Sequence, residues 1–88
     1  MPKLTIDQPR RLVIVGKKEV HLTFREFNLL SLLVENEGRV VSRESMITGS
    51  WGEAARTIDQ HIARIRRKVG RKRIRTVSKV GYAFNLGA

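Results

Sequence analysis

The chain has 88 residues, a formal net charge of +10 and no cysteine. That length allows one small domain with a compact core, and the missing thiols exclude a disulfide framework or a thiolate metal site. No apolar run approaches the ~18–20 residues of a membrane span, and MPKLTID holds no signal-peptide apolar region, so the expected location is the cytoplasm.

Three β-prone runs open the chain: Leu4–Ile6, Arg11–Val15 and Glu19–Leu22. Gly16-Lys17 stands between the second and third where a hairpin turn would. So short a meander needs support from the rest of the fold. Thr23 then opens a helix, with Glu26 as the other half of a capping box. Phe24, Phe27, Leu30, Leu33 and Val34 cover a broad arc, so this helix is expected to form the spine of the core, with Gly38 as the residue that ends it.

Arg39-Val40-Val41 reads as an extended link. Ser42 caps a second helix, RESMITG, with Glu44 in the first turn and with Val41 and Met46 spaced as a hydrophobic staple. Gly49 closes it, and Trp51 is expected to plug the core.

The stretch Thr57–Val69, TIDQHIARIRRKV, carries the most information. As a helix it places Ile58, Ile62, Ile65 and Val69 on one stripe. The opposite face holds Gln60, Ala63, Arg64 and Arg67, flanked by Arg66 and Lys68. An amide, a methyl and guanidiniums are the groups that bond adenine and guanine edges, touch a thymine methyl and pair with phosphates. Thr57 and Gln60 read as a capping box that sets the helix start.

Beyond Gly70, Arg71-Lys72-Arg73 is too charged to be anything but exposed. Ile74–Val77 and Val80–Leu86 then form a hairpin around Ser78-Lys79. Gly81 marks a kink or close backbone approach, and Tyr82 and Phe84 alternate inward. The coarse order is β-β-β-α-α-α-β-β.

Charge follows this division. Residues 1–55 carry eight Lys/Arg against seven acids, whereas residues 56–79 carry ten against the single Asp59. A localised cationic patch is the footprint of a polyanionic partner.

An enzyme needs a constellation, and none is visible. His21 and His61 lack a second ligand at metal spacing, no carboxylate pair stands out, and there is no nucleophile elbow or phosphate-binding glycine loop. The expectation is therefore a non-enzyme with no cofactor, no metal and no catalytic residue.

The segments LTFREFNLL, GRVVSRESM, the WG pair, RTIDQHIARIRRKV, IRTV and GYAF occur in that order, from about Leu4 to Phe84. Together they resemble the DNA-binding effector domain of OmpR/PhoB-type response regulators. The resemblance implies an α+β winged helix-turn-helix: an N-terminal antiparallel sheet (3–22), a three-helix core (23–69) and a C-terminal β-hairpin wing (70–88). It implies that the helix at 57–69 enters the major groove of double-stranded DNA. The wing at 74–84 would reach the neighbouring minor groove or backbone.

By position, Arg64 matches a base-contacting place, and Arg56, Thr57, His61 and Arg66 match places near phosphates. Arg43, Gln60, Ala63, Arg67, Lys68, Arg71, Ser78 and Lys79 complete the expected DNA-binding set. The loop from Trp51 to Arg56 corresponds to one that the family uses to meet RNA polymerase, and a dimer or tandem binding on DNA is the expected assembly. Three features depart from the family pattern: only Glu53-Ala54-Ala55 between WG and RT, a short basic GRKR link, and Lys79 where a glycine is common. The polymerase contact and the wing's turn are expected to differ accordingly. No receiver domain precedes the segment, so a stand-alone binder and a piece of a longer regulator are both open. The rival readings are a nucleic-acid binder without sequence preference, of RNA or architectural type, and a module whose basic face meets an acidic protein.

Overall fold

The computed structural model describes residues 3–48 and 55–85. Three strands, β1 (Leu4–Asp7), β2 (Leu12–Val15) and β3 (Lys18–Val20), form an antiparallel meander, with Leu4 opposite Val15 and Val13 opposite Val20. Helices α1 (Phe24–Glu35), α2 (Arg43–Thr48) and α3 (Ala55–Val69) follow, with β4 (Val40–Ser42) between the first two. A single 3-10 turn at Arg71–Arg73 leads into the hairpin β5 (Ile74–Val77) and β6 (Gly81–Phe84). No helix among the described residues is long and apolar enough to cross a membrane.

The core lies where α1 and α3 pack on each other and on β6. Phe27, Leu30, Leu33, Met46, Ile58, Ile62, Ile65, Ile74 and Phe84 are all fully buried in it, and Val13 closes it from the N-terminal sheet. Each large aliphatic side chain removed from water in this way contributes about 1.5–3 kcal/mol before entropy is charged against it. The expected capping box of α1 is present: Thr23 Oγ1 accepts the Glu26 N–H at 3.2 Å and Glu26 Oε1 accepts the Thr23 N–H at 3.1 Å. Ser42 Oγ likewise accepts the Ser45 N–H at 3.1 Å at the start of α2, and the staple residues Val41 and Met46 are both buried.

Several expectations need correction. The link before α2 is a strand: β4 pairs antiparallel with β6, Val41 opposite Tyr82, and makes the wing a three-stranded sheet in the order β4-β6-β5. Three residues carry too little periodicity to announce a strand; its partner supplies the order. Helix α3 begins at Ala55, so Thr57 lies inside its first turn and the Thr57/Gln60 box is not its cap. Ala55 and Arg56 are both good helix formers, and the helix runs through them. Helix α1 ends at Glu35 with Asn36 as its C-cap, so Gly38 is not the residue that closes it. Gly38, at φ +81°, instead turns the chain so that its N–H meets the Phe84 carbonyl at 3.1 Å.

Phe24 is 61% exposed, not a core residue. It sits at the first position of α1, where Arg11 covers it: the guanidinium carbon lies 4.7 Å from its ring centre and 4.5 Å from that of Phe27. Arg11 is a turn residue at φ +52°, so β2 starts at Leu12. β3 ends at Val20, short of the expected Leu22, and Trp51, Gly49 and Leu86 lie outside the described residues.

Arg73 overturns the expectation for its segment most sharply, since it is only 1% exposed. Its Nε donates to the Val69 carbonyl at 2.8 Å and so satisfies one of the open acceptors at the end of α3. Gly70, at φ +116°, makes the reversal that brings Arg73 back under the helix. Gly81 is the close approach that its position suggested. A Cβ there would lie 2.0 Å from the Val41 carbonyl oxygen, so only glycine lets β4 run alongside β6.

Candidate nucleic-acid interface

Helix α3 separates its two faces cleanly. Ile58, Ile62 and Ile65 have no exposed surface, while Gln60, Ala63, Arg64 and Arg67 are exposed, and Arg71 continues that face just past the helix end. No carboxylate among the described residues pairs with Arg64, Arg67 or Arg71. Arg64 and Arg67 stand on a core-anchored helix and Arg71 just past its end, all three with donors in hand. Between this face and the root of the wing lies a shallow niche of about 330 Å³, lined by Ala63, Arg66, Arg67, Arg71 and Ile74. Its walls are cationic with apolar surface from Ala63 and Ile74, an arrangement suited to a phosphodiester and its sugar.

The wing tip is also as the sequence suggests. Ser78, Lys79 and Val80 link β5 to β6, with Val77 opposite Gly81, and the Val80 N–H donates to the Val77 carbonyl at 3.0 Å. Ser78 and Lys79 are exposed. Lys79 adopts φ +64°, a left-handed conformation at the third position of the turn that favours glycine or asparagine. Lysine at this position therefore carries a backbone strain that glycine would not.

Other residues of the expected set are engaged elsewhere. Arg43 Nε donates to Asp59 Oδ1 at 3.1 Å, and its guanidinium carbon stands 5.5 Å from the Tyr82 ring centre. Arg66 reaches into the wing: Nε and Nη2 donate to the Ile74 carbonyl at 3.2 and 2.9 Å, and Nη2 donates to Thr76 Oγ1 at 2.6 Å. Lys68 is exposed along its length, but its Nζ lies 2.8 Å from Oε1 of Glu26, a carboxylate with 1% exposure on α1, and is engaged there.

His61 is buried against α1 rather than poised at a phosphate. Burial pushes its pKa down; Glu26 pulls the other way, and Arg64 and Arg25 add to the lowering. A neutral imidazole in the core has no charge to offer a phosphate. Thr57 is half-buried within the first turn of α3, and the Arg56 side chain lies outside the described residues.

Sequence reasoning missed Asp59 and Tyr82. Asp59 accepts from both Arg43 and the Tyr82 hydroxyl, joining α2, α3 and β6 at one carboxylate. Burial and the neighbouring carboxylate both push the Tyr82 phenol up, so it stays protonated and donates. The signal was available: Asp59 is the one acid in a segment with ten cations.

Residues 17–84 match the family model described as "Transcriptional regulatory protein, C terminal". The chain belongs to this OmpR/PhoB-type family of effector domains. Among its relatives is the transcriptional regulatory protein QseB of Haemophilus influenzae, 42% identical over 83 residues, which take in 90% of this chain and 38% of QseB. The chain thus spans about two fifths of the length of that relative. Among solved structures, the response regulator DrrB of Thermotoga maritima, an OmpR/PhoB homologue, superposes with a TM-score of 0.87 at 34% identity. The superposition covers 94% of this chain and 42% of DrrB. The DNA-binding domain of Klebsiella pneumoniae RstA, solved in complex with the RstA box, gives a TM-score of 0.83 at 29% identity, covering 94% of this chain and 91% of that domain. The family's winged helix-turn-helix architecture, with three helices and two antiparallel sheets, is the one described above.

Proposed function

We propose that this domain binds double-stranded DNA sequence-specifically and regulates transcription, with α3 in the major groove and the wing on the neighbouring minor groove or backbone. The observation that carries the reading is the contrast on α3. Three isoleucines are fully buried beneath an exposed face of Gln60, Ala63, Arg64 and Arg67, whose two guanidiniums pair with no carboxylate among the described residues. Arg64 and Gln60 supply bidentate donors and acceptors for guanine and adenine edges, and Ala63 supplies apolar contact for a thymine methyl. Arg67 and Arg71 pair with phosphates and set the register.

The same reading places the domain in a bacterial cytoplasm. It extends to RNA polymerase as a partner through residues 51–56, and to a dimer or tandem copies on DNA; the family resemblance supports both extensions. The test is selection of bound fragments from genomic DNA, followed by competition with unrelated duplex. A recovered motif that outcompetes random duplex by ~10³-fold or more supports specific recognition. Equal competition by every duplex would leave an architectural, sequence-indifferent binder instead.

A further inference from the structure

Arg66 and Asp59 are seven residues apart on α3, two turns along one side of the helix and about 10 Å along its axis. Both are spent on the wing. Asp59 accepts the Tyr82 hydroxyl, and the Arg66 guanidinium carbon stands 5.4 Å from the centre of the same ring. Arg66 also donates three hydrogen bonds to β5, two at the Ile74 carbonyl and one at Thr76 Oγ1. Tyr82 lies on β6, directly opposite Thr76 of β5 on one side and Val41 of β4 on the other. Arg43 reaches Asp59 from α2 and lies over the same ring, so the helix before the turn is tied in as well.

One contact between a helix and a hairpin is a hinge. Two anchoring residues about 10 Å apart along the helix, both holding the hairpin, fix an angle. We propose that Arg66, with Asp59 and Tyr82, is a brace that sets the angle between α3 and the wing, and that Arg66 is a positioning residue for DNA recognition rather than a phosphate contact. The inference rests on the DNA-binding reading and deepens it. A rigid angle lets one protein surface span a major groove and the adjoining minor groove at a single spacing, so the brace contributes discrimination. Only arginine fits. Its planar fork bonds a carbonyl and a hydroxyl together while lying against a ring, and a lysine at such a site keeps the charge but loses the geometry.

The test uses R66K, R66A and Y82F, with melting temperature and circular dichroism to confirm folding; R66K and Y82F carry it if R66A does not fold. If Arg66 braces the wing, R66K and Y82F both lose about tenfold or more in affinity for the selected site. The slope of log K against log salt then stays at the parent's value, because no phosphate contact is removed. Residual dipolar couplings of β5–β6 amides relative to α3, measured on the free domain, shift or average in the same variants. An R66K that binds like the parent, with an R66A whose slope falls by about one, identifies a phosphate contact and overturns the brace. Unchanged couplings in R66K and Y82F overturn it without reference to DNA. A parent protein with no preference among duplexes defeats the DNA-binding reading itself, and the couplings still decide whether the wing is braced.

Discussion

Lys79 and Lys68 share a charge and a chain length, and their surroundings give them different work. Lys79 is an exposed residue at φ +64°, a conformation that costs a non-glycine residue about 1 kcal/mol or more. Lys79→Gly should therefore stabilise the domain by about 0.5–1 kcal/mol, part of the relieved strain being offset by the entropy of glycine. Lys79→Ala keeps the strain and should leave the melting temperature nearly unchanged. Both should lose affinity, most of all on A·T-flanked sites, where the narrow minor groove is most negative. Melting and binding measured on the two variants check this, and full affinity in both would reduce Lys79 to a turn residue. Lys68 holds the buried Glu26 carboxylate at 2.8 Å. Its removal leaves a buried charge short of its cation, so Lys68→Ala should cost about 1–3 kcal/mol of stability. Affinity per folded molecule should stay near the parent's. A denaturant midpoint equal to the parent's, with weakened binding to all sequences, would restore Lys68 to the phosphate-contacting set.

At the scale of elements, the seam between α1 and α3 is where pH enters. Burial pushes the Glu26 carboxyl up, but the Lys68 ammonium, the Thr23 N–H and the nearby His61 outweigh it, and its pKa falls below the usual glutamate value. His61 is also lowered, chiefly by burial. For both groups the folded state holds its proton less tightly than the unfolded chain. The unfolded chain therefore gains a proton first on acidification, and stability falls with it. The loss begins as pH drops through 6.5, the ordinary histidine value, and a second decline begins below the ordinary glutamate value of 4.5. Chemical denaturation across this range should show both declines, and His61→Gln should abolish only the first. A parent profile that is flat between about pH 7.5 and 5.5 would contradict it.

Element contacts also explain what could be read beforehand. The apolar stripe of α3, the Thr23 box and the Ser42 cap are local, and periodicity or a single side chain reveals them. The pairing of β4 with β6 is a contact between residues some forty apart in sequence, and the start of α3 at Ala55 reflects propensity running past a plausible cap. Gly81 joins the two kinds: a lone glycine in a strand pattern pointed to a close approach, and the Val41 carbonyl 2.0 Å from its would-be Cβ supplies the partner. Gly81→Ala should force β4 from β6 and cost several kcal/mol, on the order of the largest single-site effects. A melting temperature within a few degrees of the parent's would mean that the strands part cheaply.

For the whole molecule, the segregation of charge was plain in the sequence, but the number of cations free to meet a partner was not. Of the ten in residues 56–79, Arg66 is bonded to the wing, Lys68 to Glu26, and Arg73 is buried beneath the end of α3. Arg43, expected to join them, is held by Asp59. A count from composition therefore overstates the electrostatic contacts. Arg67, Arg71, Lys72, Arg75 and Lys79 remain exposed, with Arg64 assigned to bases and Arg56 at the start of α3. About four to six phosphate contacts give a slope of log K against log salt of roughly −3.6 to −5.4 on duplex DNA. Within that total, Arg67→Ala and Arg71→Ala should each weaken all duplexes alike and lower the slope by about one. Arg64→Ala should cost about 1–3 kcal/mol on the selected site and relax preference at one base pair. A salt titration of the parent and the three variants, on selected and random duplex, reads all of these together. A nearly flat parent slope would remove DNA as the partner, and an equal loss on both duplexes for Arg64→Ala would return that residue to the backbone-contacting set. The division rests on geometry: Arg64 stands mid-face on a helix held by three buried isoleucines, whereas Arg71 lies beyond its end, where the chain turns toward the wing.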